Sequence, residues 1–147
     1  MEDISMRDAK KLGIKYEHSI MDNGEKRFRQ LCLKDNTAYI RAEGKKVGYW
    51  QKSHFHQSIK EIYIVQNGSV LVALYMNNKV KIEKYNEYDV FKIEPKIPHN
   101  IYMYPNAVLH TVKYGKVREY DWEPFEKLDE ILNSKPIEEI EKSYIIK

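Results

Sequence analysis

The sequence is short of several features that would identify a class of protein at once. Cys32 is the only cysteine among 147 residues, which excludes a disulfide within the chain and favours a reducing compartment. No low-complexity segment occurs, so the composition is that of a globular protein. No apolar run has the length of a membrane-spanning helix, and the charged N-terminus, MEDISMRDAKK, lacks the apolar region of a signal peptide. We therefore expect a cytoplasmic protein without a membrane partner.

The chain also lacks the concentrated basic stripe with interleaved aromatic residues that is typical of nucleic-acid-binding modules. Its formal net charge of +3 hides an asymmetry, because residues 119–147 contain nine acidic and four basic residues and residues 1–118 therefore carry +8. This basic part favours an anionic small molecule such as a sugar phosphate or a nucleotide sugar. A solvated surface rich in lysine explains the same charge equally well.

Short alternating segments rich in β-branched and aromatic residues dominate the chain, whose length suits one domain. Turn residues separate them, and Asn77-Asn78 is a plausible two-residue hairpin because asparagine tolerates positive φ. This regular succession predicts an all-β sandwich or barrel. The predicted strands cover residues 27–33, 37–42, 61–65, 69–76, 79–85, 88–93, 99–104 and 107–114.

Both ends of the chain show helical spacing instead. A short N-terminal helix is indicated by a weak capping box and three apolar residues: Ser5 with Asp8, then Met6, Ala9 and Leu12. After Gly115 the pattern changes, and one apolar face predicts a second helix: Phe125, Leu128, Ile131 and Leu132. We therefore divide the chain into an N-terminal helix and arm (1–26), a barrel (27–115) and a helical tail packed outside it (116–147).

A cluster of possible metal ligands lies between residues 48 and 68. His54 and His56 are two positions apart, so in an extended segment both imidazoles point the same way. If the segment containing Glu61 pairs antiparallel with that strand, its carboxylate joins them, and His99 offers a fourth ligand. Three neutral imidazoles and a carboxylate suit a divalent transition metal with open positions for water or substrate. Weak binding, or acid–base use of the histidines, is the alternative.

These residues resemble the cupin superfamily. Its first motif is a glycine, five residues, His-any-His, three or four residues, a glutamate, six residues and a glycine. Every fixed position is present, in the order Gly48, His54, His56, Glu61 and Gly68. In the second motif only His99 is retained, and the other family positions are occupied by Tyr88, Glu94, Lys96 and Met103.

The resemblance covers residues 27–115 and implies an antiparallel jelly-roll β-barrel. It also implies that His54, His56, Glu61 and His99 point into the barrel mouth and bind Mn, Fe, Ni or Zn. Many cupins are homodimers, often through N-terminal strands added to the partner's sheet. The single barrel and the WEPFEKLDEIL segment look like the single-domain mannose-6-phosphate-isomerase-like (RmlC-like) members.

Two further residues are candidates for catalysis. His110 shares a strand face with Val108 and Val112, and it is either a base or substrate contact in the cavity or a packed core histidine. Tyr63 lies on the same strand face as Glu61, where it is either a catalytic group or ordinary barrel filling. Gln30 could also reach the cavity from a neighbouring strand.

The favoured function is a small enzyme of isomerase or epimerase type that acts on a carbohydrate or sugar derivative. The metal would act as a Lewis acid, and His110 or Tyr63 would move a proton on the adjacent carbon. A mononuclear Fe dioxygenase needs the same ligands and is the first alternative. The second is a carbohydrate- or metabolite-binding module without catalysis, because fold alone does not choose among these functions.

Overall fold

Two antiparallel β-sheets face each other, with short helices near both ends of the chain. A computed structural model describes residues 6–143 and 145–146. In chain order the elements are α1 (Met6–Lys11), β1 (Lys15–Ile20), β2 (Lys26–Cys32), β3 (Thr37–Glu43), β4 (Tyr49–Trp50), β5 (His54–Phe55), β6 (Ile59–Asn67), β7 (Val70–Met76), β8 (Lys79–Tyr85), β9 (Val90–Ile93), β10 (His99–Met103), β11 (Val108–Gly115), β12 (Glu123–Pro124), α2 (Glu126–Asn133), α3 (Ile137–Ile140) and β13 (Ile145–Ile146). The predicted all-β jelly-roll architecture is confirmed.

The strand order brings distant segments together. The first sheet has the order β1-β2-β3-β11-β6-β9, and the second has the order β12-β5-β10-β7-β8-β13, with β4 also pairing with β10. The late strand β11 therefore lies between β3 and β6. The second sheet places β5 beside β10, so His54 and His99 become neighbours.

The eight strands predicted from alternation all occur, with ends that differ by at most two residues. Asn77 and Asn78 form the two-residue turn between β7 and β8 with φ of 52° and 60°, as the hairpin prediction requires. Ser5, predicted to cap the first helix, lies outside the described residues. No helix among residues 6–143 is long and apolar enough to cross a membrane.

The core has two layers, one on each side of the second sheet. Between the sheets, residues such as Val65, Met103 and Leu109 are almost completely buried. On the other side, Leu128 of α2 and Ile140 of α3 cover the outward residues of β7 and β8. Strand β7 is consequently buried on both faces, and the predicted helical tail packs outside the barrel.

Both sheets extend beyond the predicted barrel segment. Strand β1 pairs with β2 in continuous register from Lys15–Leu31 to Ile20–Lys26, although its mixed sequence pattern gave no strand prediction. At the other end, β12 pairs with β5 and β13 pairs with β8. The division at residues 26 and 115 stays a prediction, and the sheets draw strands from all three segments.

Candidate metal centre

Four side chains converge at one end of the space between the sheets. His54, His56, Glu61 and His99 each offer one ligand atom, and these atoms all lie within 4.8 Å of one another. His54 and His99 are directly opposite in the register of β5 and β10. The structure thus brings together the four residues that the sequence predicted as ligands. The predicted antiparallel pairing of the Glu61 segment with the histidine strand is wrong, because Glu61 lies on β6 of the first sheet and reaches the histidines across the space between the sheets.

Backbone carbonyl groups fix the orientation of all three imidazoles. Each ring places Nδ1 at a carbonyl oxygen: His54 at Lys52 (2.8 Å), His99 at Ile97 (2.9 Å) and His56 at Asp121. Since a carbonyl oxygen can only accept, Nδ1 must carry the proton and donate it. In a neutral ring the lone pair is then on Nε2, which is the atom available to a metal.

The atoms that face one another in the cluster lack hydrogen bonds. His56 Nε2 and His99 Nε2 lie 3.2 Å and 3.3 Å from Glu61 Oε1. All three atoms are buried, and none has a hydrogen-bond partner among the residues that the structure describes. Buried polar atoms are normally paired, so three that converge without partners fit a cation placed between them.

The protonation states of the cluster also suit a metal. Burial raises the pKa of Glu61, but the His56 and His99 side chains outweigh this effect and hold that pKa well below its usual range. Burial, followed by the like charge of His99, lowers the pKa of His54 to about 3. An ionised carboxylate therefore stands beside a neutral imidazole, as metal ligation requires.

Tyr63 holds the second oxygen of the carboxylate ligand. Its hydroxyl donates to Glu61 Oε2 at 2.8 Å, and its ring stacks on Phe91 with centroids 4.8 Å apart. Burial and the neighbouring carboxylate raise the pKa of Tyr63 well above its usual value. The phenol therefore stays protonated and orients Glu61.

A cavity of about 160 Å³ adjoins the cluster inside the barrel. Its walls include apolar residues such as Ile40 and Leu109, and three cationic side chains: Arg27, Arg29 and Lys113. An outer groove of about 410 Å³ shares Arg27, Arg29 and His54 with this cavity. The two spaces therefore adjoin and offer a route from the surface to the cluster.

The segment after the barrel closes one side of the centre. Trp122 lines both the cavity and the groove, and its ring stacks on His54 at 5.4 Å between centroids. The carboxylate of Asp121 accepts from the backbone N–H groups of Gln57 (2.7 Å) and Ser58 (3.0 Å). Sequence reasoning missed both contributions because it assigned this segment to an external tail. No spacing signal marked them.

His110 lies on the other face of β11. Its neighbours Leu109 and Thr111 line the cavity, so the alternation of the strand turns His110 away from it. There its two ring nitrogens contact the Tyr39 hydroxyl and the Gln66 side chain. The expectation that His110 points into the cavity is wrong.

The side chains of β2 also face the opposite way from the prediction. Arg27 and Arg29 line the cavity, so Gln30, which alternates with them, faces away. In the register Gln30 pairs with Tyr39, whose ring stacks on His110 on that outer face. The two arginines were missed as cavity residues, although their two-residue spacing on a strand was visible.

Comparisons with known proteins identify the fold of this chain but not its function. No family model and no curated protein matches the sequence. Among solved structures, KdgF from Halomonas sp. superposes with a TM-score of 0.57 at 14% identity, over 70% of this chain and 88% of that one. Oxalate decarboxylase from Bacillus subtilis gives 0.62 at 16% identity, over 90% and 39%. The chain has the cupin fold.

A third similar structure is the capsular polysaccharide assembling protein CapF from Staphylococcus aureus. It gives a TM-score of 0.60 at 16% identity, over 76% of this chain and 32% of CapF. The chain therefore spans about two fifths of oxalate decarboxylase and a third of CapF, but most of KdgF. At these identities the similarity shows the fold, and the donor set shows that a divalent transition metal suits the site.

Proposed function

We propose that this cupin is a metal-dependent enzyme of isomerase or epimerase type that acts on a carbohydrate or sugar derivative. The observation that carries the proposal is the set of three buried, unpaired donor atoms around one point. His54, His56, Glu61 and His99 would hold Mn, Fe, Ni or Zn.

Two of the similar structures support the proposal, one for the metal and one for the carbohydrate substrate. The oxalate decarboxylase of Bacillus subtilis contains Mn(II) centres, which supports a metal in this fold. CapF is described as a capsular polysaccharide assembling protein, which supports carbohydrate chemistry.

A bound divalent ion would supply Lewis-acid polarisation of a substrate oxygen. Hydrogen bonds within the chain orient the four ligands: backbone carbonyl groups accept from the imidazoles, and the Tyr63 hydroxyl donates to Glu61 Oε2 at 2.8 Å. Ile40 and Leu109 add apolar surface to the wall of the cavity beside the cluster. Because it donates to a ligand, Tyr63 acts as a positioning residue in this proposal, and His110 takes no part.

Metal analysis tests the ligand assignment directly. We expect purified protein to retain about one ion per chain, because the four donors form one site. The double variant His54→Ala/His56→Ala should lose it. His18→Ala is the matched control, since His18 packs against Phe28, away from the centre. Stoichiometric metal in the double variant would reject the assignment.

Turnover is tested by proton exchange in deuterated water, because isomerases and epimerases move a proton on the carbon beside a carbonyl. A panel of aldoses, ketoses and their acidic derivatives is incubated with metal-loaded protein and followed by proton NMR. We expect the signal of that carbon-bound proton to disappear only with the metal-loaded wild type. Oxygen consumption by an iron-loaded form would support the dioxygenase alternative instead, and a ligand bound without change would support a binding module.

We also propose that the protein is a cytoplasmic homodimer. The single cysteine supports the compartment. The outer face of the first sheet supports the dimer, because it exposes apolar side chains that include Ile64 and Val90. Light scattering should give twice the 17.6 kDa chain mass, and Ile64→Lys/Val90→Lys should give the monomer mass. A wild type of monomer mass would refute the dimer.

A further inference from the structure

We infer that the cavity beside the candidate metal centre binds an anionic group of the substrate, a carboxylate or a phosphate, through Arg29 and Lys113. The inference rests on the proposed function, because it names the class of substrate that would lie next to the four ligands. It depends on where the cationic side chains lie, on their partners and on the size of the cavity.

The cationic side chains occupy neighbouring rows of the inner face of the first sheet. Arg29 is opposite Ile40, and Ile40 is opposite Thr111 on the next strand. Lys113 lies two residues beyond Thr111, about 7 Å along the strand, and it is directly opposite Glu61. Both cations therefore share the inner wall with a ligand of the metal centre.

Arg27, the third cation of the cavity, already has an acidic partner. Its Nε donates to Glu25, a carboxylate with 0% exposure that also accepts from the Tyr49 hydroxyl and from Gln51 Nε2. This buried network balances the charge of Arg27 and fixes its guanidinium at the cavity wall. Because Glu25 balances its charge, Arg27 is not one of the two cations that we assign to the anionic group.

Arg29 and Lys113 have no such direct ion pair. Arg29 donates to Ser19 Oγ at 3.2 Å and contacts Met21 Sδ at 3.8 Å, while Glu17, opposite it on β1, attracts it without forming an ion pair. The Lys113 side chain makes no hydrogen bond or ion pair with the described residues, and Glu61, the carboxylate opposite it, is one of the four candidate metal ligands. Cations held in a partly apolar cavity without a direct ion pair are costly. A bound divalent ion would add positive charge, which the single carboxylate of Glu61 does not cancel.

The volume of the cavity limits what enters it. At about 160 Å³ it is close to the roughly 150 Å³ of an engineered cavity that holds benzene. The inner space therefore suits the anionic end of a small molecule, and the rest would lie in the outer groove beside Trp122. Arginine's fork of N–H donors fits either a carboxylate or a phosphate.

Three sugars that differ only in the group at their sixth carbon test the inference: glucuronate, glucose 6-phosphate and glucose. Their binding to manganese-loaded protein is measured by calorimetry, with the metal content of each sample determined in parallel. We expect at least one anionic sugar to bind about tenfold or more tighter than glucose. Arg29→Gln and Lys113→Met should each remove about tenfold of that preference while the metal content stays unchanged.

Arg41→Gln is the matched control, because Arg41 pairs with Glu43 on the outer face of the same sheet. It lowers the net charge equally and should leave binding unchanged. Preference for glucuronate alone identifies a carboxylate site, and preference for glucose 6-phosphate alone identifies a phosphate site. Equal binding of all three sugars, no binding of any, or an undiminished preference in both cavity variants would overturn the inference. An anionic preference in protein that retains no metal would refute the proposed function and leave the anion site intact.

Discussion

The hydrogen bond from Tyr63 to Glu61 offers a sharp test of how the candidate centre is held. Tyr63→Phe removes one oxygen atom and keeps the ring that stacks on Phe91. The fold should therefore survive, but Glu61 Oε2 would lose the donor that lies 2.8 Å away. Since Tyr63 is only 4% exposed, water has little access to replace that donor.

The expected magnitude follows from the type of bond. Partners that orient a metal ligand typically contribute tenfold to a hundredfold in metal affinity, or about 1.4 to 3 kcal/mol. Because a hydrogen bond to a charged group falls in the same range, we expect the dissociation constant to rise by about that factor. Titration of metal-free protein with zinc against a competing chelator measures it.

Tyr85→Phe is the matched control for this prediction. Tyr85 also stacks on Phe91, at 4.3 Å between centroids, and its hydroxyl also donates to a carboxylate, that of Glu83. Glu83 is not one of the four clustered ligands, so metal affinity should not change. Unchanged affinity in Tyr63→Phe, or an equal loss in Tyr85→Phe, would refute the reasoning.

Three further predictions concern acid, the closing segment and the tail. The pKa of His54 is about 3 in the folded chain and 6.5 ordinarily. Between these two values the unfolded chain binds a proton at His54 and the folded chain does not. His54 should therefore cost the metal-free protein up to about 2 kcal/mol of unfolding free energy between pH 7 and pH 5, measured in urea. His54→Gln should remove this share of the loss and leave that of His110, whose pKa is also lowered by burial. Asp121→Ala frees the backbone donors of residues 57 and 58 and should weaken zinc binding about tenfold in the chelator titration, with Asp121→Asn intermediate. Leu128→Ala, at a site with 0% exposure, should cost about 2 to 5 kcal/mol in urea unfolding without loss of metal.

Each of these three has an outcome that contradicts it. A metal-free protein equally stable at pH 7 and pH 5 would show that His54 takes up its proton in the folded state. Wild-type zinc affinity in Asp121→Ala would show that the closing segment does not hold the centre. A change below about 1 kcal/mol for Leu128→Ala would show that α2 contributes little to the packing.

The ligand cluster could be predicted in part because the histidine spacing is local. The spacing of His54 and His56 puts both rings on one side of an extended segment, and the pairing of β5 with β10 brings His99 to them. Glu61 reaches them from β6 of the other sheet, which no short-range pattern indicates. The strands themselves were predictable from alternation, within two residues at each end.

The cavity wall was harder to predict, because alternation tells which residues share a face but not which face turns inward. On β2 the candidate for the cavity was Gln30, whereas Arg27 and Arg29 line it. On β11 the same ambiguity left the orientation of His110 open and Lys113 unnoticed. Cationic side chains on an inward face contradict the usual burial preference, and such contradictions are expected at functional sites.

The part played by the closing segment was beyond local patterns altogether. Asp121 meets His56 across 65 residues of chain, and the contact uses a backbone carbonyl that any residue would supply. Patterns of side-chain types therefore do not predict such a contact. Only the pairing of β12 with β5 reveals it.

This reliance on the main chain affects how the site tolerates mutation. The oxygen atoms that orient the three imidazoles are main-chain carbonyls of residues 52, 97 and 121, which every amino acid supplies. Of these three positions, 121 also contributes its side chain, whose carboxylate accepts from the backbone N–H groups of residues 57 and 58. The centre therefore depends on the path of the backbone and on its four ligand side chains more than on the other side chains around it. Substitutions around the centre should therefore be tolerated where they keep the path of the backbone at residues 52 and 97.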